Sequence, residues 1–220
     1  MKLLLAGASG LVGSHVLRLA LADERITQVT APVRRALPLT HAKLLAPVVN
    51  YDALPEGAAW WQADAVVCTL GTTMKAAGSE AAFRRVDHDY PLAVARLARA
   101  QGTPTYVLNS AASASAQSRF FYNRVKGELE QALAQLGFAS LTYARPGLIG
   151  GERGEPRPAE RAAIVALSAL GPLLPRSWRL YPAQNIAQAM LAAALLAQPG
   201  VHVIPAEAVN YPALKDGAWN

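Results

Sequence analysis

Residues 2–13 read KLLLAGASGLVG, an apolar run that leads into three glycines spaced three residues apart. The apolar run predicts a strand buried in a parallel sheet. An apolar helical pattern follows through Val16, Leu17, Leu19 and Ala20. A strand, a glycine turn and a helix in this order are the setting of a loop that binds the phosphates of a dinucleotide.

Each glycine has a separate task in such a loop. Gly7 permits the tight turn, Gly10 lets a pyrophosphate approach the backbone, and Gly13 lets the helix pack closely on the strand. Free N–H groups at the helix start then face the phosphates. The spacing is G-x-x-G-x-x-G rather than G-x-G-x-x-G, and the same physics holds; the alternative is a turn that binds nothing. The loop's candidate cofactor contacts are Gly7, Ser9, Gly10, Leu11, Val12 and Gly13.

Composition predicts a folded chain that has neither a disulfide framework nor a membrane-spanning segment. Hydrophobic residues make up 52% of the 220 positions and charged residues 16%, which excludes disorder and suits one domain over residues 1–220. The single cysteine, Cys68, lies in an apolar run and is expected to be a buried structural thiol. No zinc signature, signal peptide or membrane-spanning stretch is found in the sequence, so we expect no metal site, no stable membrane insertion and a cytoplasmic protein.

The net charge of +6 makes nucleic acid the first partner to consider. The basic residues are scattered, however, and no nucleic-acid-binding signature accompanies them. We therefore predict no nucleic-acid role, and part of the basic excess suits an anionic cofactor.

Strand and helix patterns alternate along the chain, which predicts a parallel sheet covered on both faces. The expected fold is a doubly wound, three-layer α/β (Rossmann) sheet with strand order 3-2-1-4-5-6-7. Helical patterns run from Ser79 to Ala100, with a break or kink at Pro91, from Arg119 to Leu136, with Gly137 as the stop, and from Asn185 to Ala197. The later strands are expected at residues 26–33, 47–50, 63–70, 105–108, 140–144 and 201–204.

Arg34 and Arg35 follow the predicted second strand. An acidic residue at this point would hold the ribose 2′-hydroxyl of NAD, whereas a guanidinium matches a 2′-phosphate in charge and geometry. The pair predicts NADP, with NAD less favoured, unless one of the two arginines is merely exposed.

Ligands of such sheets bind beyond the carboxyl ends of the strands. Asn50 and Tyr51 follow the third strand and are candidates for the adenine side, although the neighbouring Asp52 is equally a turn residue. The residues after the fourth and fifth strands are further candidates, with an ordinary polar turn as the alternative; they are Leu70, Gly71, Thr72, Thr73 and Asn109.

Tyr122 and Lys126 share one face of a predicted helix, because they are four residues apart. A cation beside a phenol favours the phenolate, which makes the pair a unit for proton transfer. Ser110, at the end of the fifth strand, is expected to lie opposite Tyr122, and Ser113 is the alternative.

These features together resemble the short-chain dehydrogenase/reductase superfamily over nearly the whole chain. Four segments look closest to the atypical group around the Tat-interacting-protein oxidoreductases and their bacterial relatives. They are CTLGTT at 68–73, RVDHDY at 85–90, VKGE at 125–128 and RPG at 145–147.

The resemblance implies roles for particular residues. Tyr122 would be the general acid/base, Lys126 would lower its pKa and bind the nicotinamide ribose, and Ser110 would orient the substrate oxygen. Pro146 and Gly147 would close over the nicotinamide side, for which a plain turn is the alternative.

Residues 148–182 are the expected substrate or lid region. They combine arginines with an apolar segment, which suits an acidic or lipid-like molecule but suits equally a lid packed on the core or the contact of a homodimer.

We expect an NADP-dependent oxidoreductase acting on a small carbonyl or alcohol. The alternatives are an NADPH-binding regulatory or assembly protein and a nucleotide-sugar epimerase or dehydratase, the last disfavoured by this short region.

Overall fold

The computed structural model describes residues 1–150 and 180–210. In these ranges seven strands form one sheet. They are β1 Lys2–Ala6, β2 Gln28–Thr30, β3 Leu44–Leu45, β4 Ala65–Cys68, β5 Thr105–Asn109, β6 Ser140–Arg145 and β9 Gly200–Pro205. Their order in the sheet is β3-β2-β1-β4-β5-β6-β9, and every neighbouring pair is parallel. The predicted α/β fold and strand order are confirmed, with β9 as the seventh strand.

Helices cover both faces of this sheet. Alternate residues of β1 point to opposite faces, so that Leu3 and Leu5 join one buried cluster while Leu4 and Ala6 join the other. The described helices are α1 Leu11–Ala22, α2 Met74–Ala77, α3 Glu80–Arg84, α4 Tyr90–Ala100, α5 Phe121–Ala134 and α6 Ala183–Leu196, with short 3₁₀ turns at Ala59–Trp61 and Ala206–Asn210. The first cluster includes residues of α1 and α6, and the second includes residues of α4 and α5.

The position predicted for the third strand is wrong. It lies at Leu44–Leu45, and of the predicted 47–50 only Val48 forms an isolated parallel bridge, with Val33. Pro47 has no N–H to donate to the ladder, so regular pairing ends before it and resumes for a single residue beyond it.

The helical region after β4 contains a break, as predicted, but the break precedes Pro91. Residues Arg85–Asp89 form a π-helical turn between α3 and α4, in which the N–H of Tyr90 donates to the carbonyl of Arg85. A proline in a helix removes an N–H and crowds the carbonyl four residues earlier, here that of Asp87. The wider turn moves that carbonyl out of the α-helical pattern.

A second, two-stranded parallel sheet joins β7, Leu148–Gly150, to β8, Leu180–Pro182. The sequence did not predict it. It brings together the two ends of the expected substrate region, whose residues 151–179 lie outside the described part. That one domain spans the whole chain stays a prediction.

Candidate functional site

Residues 7–13, which form the turn after β1 and the first residues of α1, are called the glycine turn. Gly7 has a φ of +93°, and its carbonyl accepts the N–H of Gly10 at 2.9 Å. A Cβ at Gly13 would lie 2.0 Å from the Gly7 oxygen, so α1 reaches this position only because residue 13 has no side chain. The positive φ at Gly7 and the lack of space at Gly13 therefore both require glycine, as the spacing predicted.

Thr69, which the sequence analysis missed, supports the glycine turn. Its hydroxyl lies 3.2 Å from the Ala6 oxygen and 3.1 Å from the Gly7 oxygen, both of which it can donate to. Its position directly after β4 was the available signal, since strand ends of neighbouring parallel strands meet at one edge.

A cleft of about 190 Å³ opens above the glycine turn. Seven of the residues that were predicted to bind the cofactor line this cleft: Gly7, Ser9, Gly10, Arg34, Tyr51, Leu70 and Gly71. Six others that line it were not predicted as site residues, namely Ala8, Pro32, Val33, Thr69, Val86 and Tyr90. The remaining predicted cofactor residues are not part of this lining; they are Leu11, Val12, Gly13, Arg35, Asn50, Thr72, Thr73, Asn109, Pro146 and Gly147.

Two tyrosines form one wall of the cleft. The rings of Tyr51 and Tyr90 are 5.4 Å apart, and the Tyr51 hydroxyl donates to the Pro32 carbonyl at 2.9 Å. Burial raises the pKa of Tyr51, so this side chain stays a neutral donor. The Tyr90 hydroxyl donates to Asp52 at 2.8 Å, whereas the Asn50 side chain accepts the N–H of Asp52 and so belongs to a local turn.

Lys126 lies deep beside this cleft. Its Nζ is 2.8 Å from Asp87 Oδ1, and the two side chains are only 4% and 1% exposed. Asp87 Oδ2 accepts the N–H of Thr72 at 2.7 Å. A Cβ on Gly71 would lie 3.3 Å from Asp87 Oδ1 and 3.8 Å from Lys126 Nζ, so this glycine connects the cleft lining to the ion pair. We call Gly71, Thr72, Asp87 and Lys126 the Lys126 corner.

Thr73, in contrast, has a structural task in the described part. Its hydroxyl accepts the N–H of Ala76 at 3.1 Å and so caps α2.

Tyr122 precedes Lys126 by one turn of α5 and is 41% exposed. Its ring lies 5.7 Å from that of the buried Phe83 on α3. Burial alone lowers the pKa of Lys126, but attraction to Asp87 and to Tyr122 outweighs burial and raises it. A buried, charged Lys126 and an accessible phenol therefore share one helix face.

Ser110 is buried, and its hydroxyl donates to Glu130 Oε1 at 2.5 Å. The same carboxylate pairs with Arg145, whose Nε donates at 3.0 Å, and this hydrogen bond raises the pKa of the guanidinium. Ser113 is exposed. The structure thus gives Ser110 a buried carboxylate as its partner.

Gly127 brings the segment after β5 against α5. A Cβ there would lie 2.2 Å from the nitrogen of Ala116 and 2.2 Å from the carbonyl carbon of Ser115. The N–H of Ala112 donates to the carbonyl of Pro146 at 2.9 Å, so the buried Pro146 also holds this segment. Asn109 Oδ1 is buried and has no hydrogen-bond partner among the described residues.

The chemistry of the cleft fits a dinucleotide. Its floor is the glycine turn, where backbone N–H groups begin a helix with no acidic residue in its first turn. Arg34 is the basic residue in the described lining, and that lining includes no acidic side chain.

The described residues contain neither a metal-binding group of side chains nor a membrane-spanning helix. Among residues 1–150 and 180–210, no three His, Cys, Asp or Glu side chains are grouped so as to hold a metal ion. None of the helices described in these ranges has the length and apolar character needed to cross a bilayer.

Comparisons with known proteins show the family of this chain. The family model described as NAD(P)H-binding matches residues 7–145. The chain is 38% identical over 175 residues to the mitochondrial protein fmp52 of Emericella nidulans, covering 76% of this chain and 75% of that protein. It is 36% identical over 192 residues to protein HTATIP2 of Rattus norvegicus, covering 84% and 77%.

Among solved structures, the fold is similar to that of a UDP-glucuronic acid 4-epimerase from Bacillus cereus in complex with UDP-glucuronic acid and NAD. The TM-score is 0.69 and the identity 14%, with 93% of this chain and 77% of that one covered. At this identity the likeness shows the fold alone.

The expectation of a cytoplasmic protein is wrong. The fungal relatives that the chain matches are named as mitochondrial proteins. That expectation depended on the composition of the sequence, which does not determine the compartment.

Proposed function

The chain belongs to the NAD(P)H-binding family, within the atypical short-chain dehydrogenase/reductase superfamily, and on that premise we propose that it is an NADP-dependent oxidoreductase of small carbonyls or alcohols. The observation that carries the proposal is the Lys126 corner. A charged lysine, buried next to the glycine-lined cleft, lies one helical turn from an accessible tyrosine.

Each residue has a role under this proposal. The glycine turn and Arg34 would hold a dinucleotide with a 2′-phosphate, and a bound nicotinamide would supply or accept hydride. Tyr122 would give a proton to the substrate oxygen during reduction and take one during oxidation. The Lys126 ammonium would stabilise the negative charge that remains on Tyr122 after the proton has left.

The test separates binding from turnover. NADPH and NADH are titrated by cofactor fluorescence, and NADPH oxidation is then followed with a panel of aldehydes and ketones. Tyr122→Phe is expected to lower turnover about 100-fold or more while NADPH affinity stays the same. Tyr106→Phe, which also removes a single hydroxyl, is the control, because Tyr106 is a buried residue of β5 that does not line the cleft, so this variant should retain turnover. Equal turnover in wild type and Tyr122→Phe would refute the mechanism.

One observation favours a second candidate, an NADPH-binding regulatory protein without turnover. The Ser110 hydroxyl is occupied by Glu130, so one of the three expected catalytic side chains has another buried partner. This candidate predicts tight NADPH binding, no oxidation with any carbonyl of the panel, and no effect of Tyr122→Phe.

A further inference from the structure

Asp87 has no role in the function proposed above, although it is among the most buried charged groups in the described chain. One carboxylate oxygen pairs with Lys126 Nζ at 2.8 Å, and the other accepts the N–H of Thr72 at 2.7 Å. Both oxygens therefore have partners, as a buried carboxylate requires.

An uncommon backbone conformation positions this carboxylate. Asp87 lies in the π-helical turn Arg85–Asp89, and Pro91 is the residue whose missing N–H would have paired with the Asp87 carbonyl in an α-helix. Single π turns within helices are often found at functional sites. Directly before the turn, Arg84 at the end of α3 forms an ion pair with Glu128 of α5 at 2.5 Å.

Lys126 depends on Asp87 for compensation of its charge. The titratable groups that act on Lys126 from the surrounding described elements are Asp87, Tyr122 and Cys68. Cys68 is fully buried, and burial raises the pKa of its thiol, so it is uncharged near neutral pH. Asp87 is thus the carboxylate in direct contact with the ammonium.

We propose that Asp87 is a positioning residue that keeps Lys126 in its charged form and fixes the ammonium beneath Gly71, at the edge of the cleft. The inference gives the proposed acid/base couple a third member, and to that extent it rests on the proposed function. It predicts that Asp87→Asn, which preserves shape and one acceptor oxygen but removes the charge, allows Lys126 to lose its proton near physiological pH.

The direct measurement is the titration of Lys126 in the whole chain by NMR of ¹³C-labelled lysine. The sequence has five lysines, Lys2, Lys43, Lys75, Lys126 and Lys215, and Lys126→Met identifies the signal. In the wild type, Lys126 should remain charged up to at least pH ~10.5, the ordinary value for a lysine. A wild-type Lys126 that loses its proton below pH 8 would overturn the proposal without any variant.

In Asp87→Asn the midpoint should fall by about one pH unit or more, since buried lysines without a partner shift downward by as much as ~3–5 units. Asp64→Asn is the control, because Asp64 also accepts a backbone N–H, that of Lys2 at 2.6 Å, but is exposed. It should leave the Lys126 titration where it was. An unchanged midpoint in a folded Asp87→Asn protein would reject Asp87 as the source of the charge.

A cofactor titration makes the two proposals separable. NADPH affinity is measured by fluorescence from pH 6.5 to 9.5 in the wild type, Asp87→Asn and the double variant Asp87→Asn/Lys126→Met. The slope against pH should be steeper in Asp87→Asn than in the wild type, and the extra slope should disappear in the double variant. If the wild type binds no NADPH, the proposed function fails, while the NMR titration still decides the role of Asp87.

Discussion

Thr69 and Asp87 each hold a loop at the carboxyl edge of the same sheet, but with different chemistry. Thr69 supports the glycine turn through a neutral hydroxyl, 3.1 Å from the Gly7 carbonyl. Asp87 supports the Lys126 corner through a full charge, 2.8 Å from the ammonium. A neutral hydrogen bond contributes about 1 kcal/mol net, whereas breaking a buried ion pair by removing one partner costs about 3–5 kcal/mol. The glycine turn therefore depends on shape, and the Lys126 corner depends on charge.

Lys126→Met should have the largest effect on stability. It leaves the Asp87 carboxylate buried without its counter-ion, and we expect the free energy of unfolding to fall by about 3–5 kcal/mol in urea denaturation. Lys75→Met removes the same charge from an exposed position on α2 and should change stability by less than about 0.5 kcal/mol. Equal losses in the two variants would show that the corner does not depend on the ion pair.

The pH dependence of this loss has a definite sign. The pKa of Lys126 is raised in the folded chain above its ordinary 10.5, so its stabilising contribution is complete below that value and is lost as the pH rises through the folded pKa. The difference between wild type and the double variant Asp87→Asn/Lys126→Met, which leaves no unpaired buried carboxylate, should therefore be constant from pH 7 to 9 and should shrink only above pH ~10.5. A difference that changes between pH 7 and 9 would contradict the direction of the shift.

Gly13→Ala tests the role of shape in the glycine turn. The added Cβ would lie 2.0 Å from the Gly7 carbonyl oxygen and 2.6 Å from Thr69 Oγ1, so backbone must move. We expect a loss of about 2–3 kcal/mol, the upper part of the range for overpacking, together with weaker NADPH binding. Gly57→Ala is the matched control, because no atom lies within 4 Å of the added Cβ. It should be neutral or slightly stabilising.

The same contrast explains which parts of the molecule were predictable. The strand β1 and the glycine turn are encoded together by the twelve consecutive residues 2–13, and the strand, the turn and the helix that follows were predicted in place. The Lys126 corner combines residues 71, 72, 87 and 126, which no local period connects; RVDHDY was noticed, but nothing in it indicated that Asp87 would point inward. β3 was misplaced because a two-residue strand has almost no periodicity, and Pro47 resembled a strand start rather than an interruption.

Ser110→Ala and Ser113→Ala compare two serines that sequence alone could not rank. Ser110 donates to the buried Glu130, so its loss should lower the free energy of unfolding by about 1.5–3 kcal/mol, the range for hydrogen bonds to charged groups. Ser113 is exposed, and its loss should change stability by less than about 0.5 kcal/mol. Turnover then assigns the orienting role: a drop in Ser113→Ala at unchanged stability would move that role from Ser110 to Ser113.

Arg34→Ala and Arg35→Ala should have the smallest energetic effects. They test whether charge contributes to cofactor binding near the glycine turn, which depends mainly on shape. Arg34 lines the cleft and Arg35 does not, although both are exposed. An exposed ion pair contributes at most about 1 kcal/mol, so Arg34→Ala should weaken NADPH binding about fivefold and leave NADH binding almost unchanged. Arg35→Ala should change neither affinity, and the NADPH effect of Arg34→Ala should decline as salt is added. If Arg34→Ala weakened NADPH and NADH binding equally, Arg34 would contact a part that the two cofactors share. It would then not account for a preference for NADP.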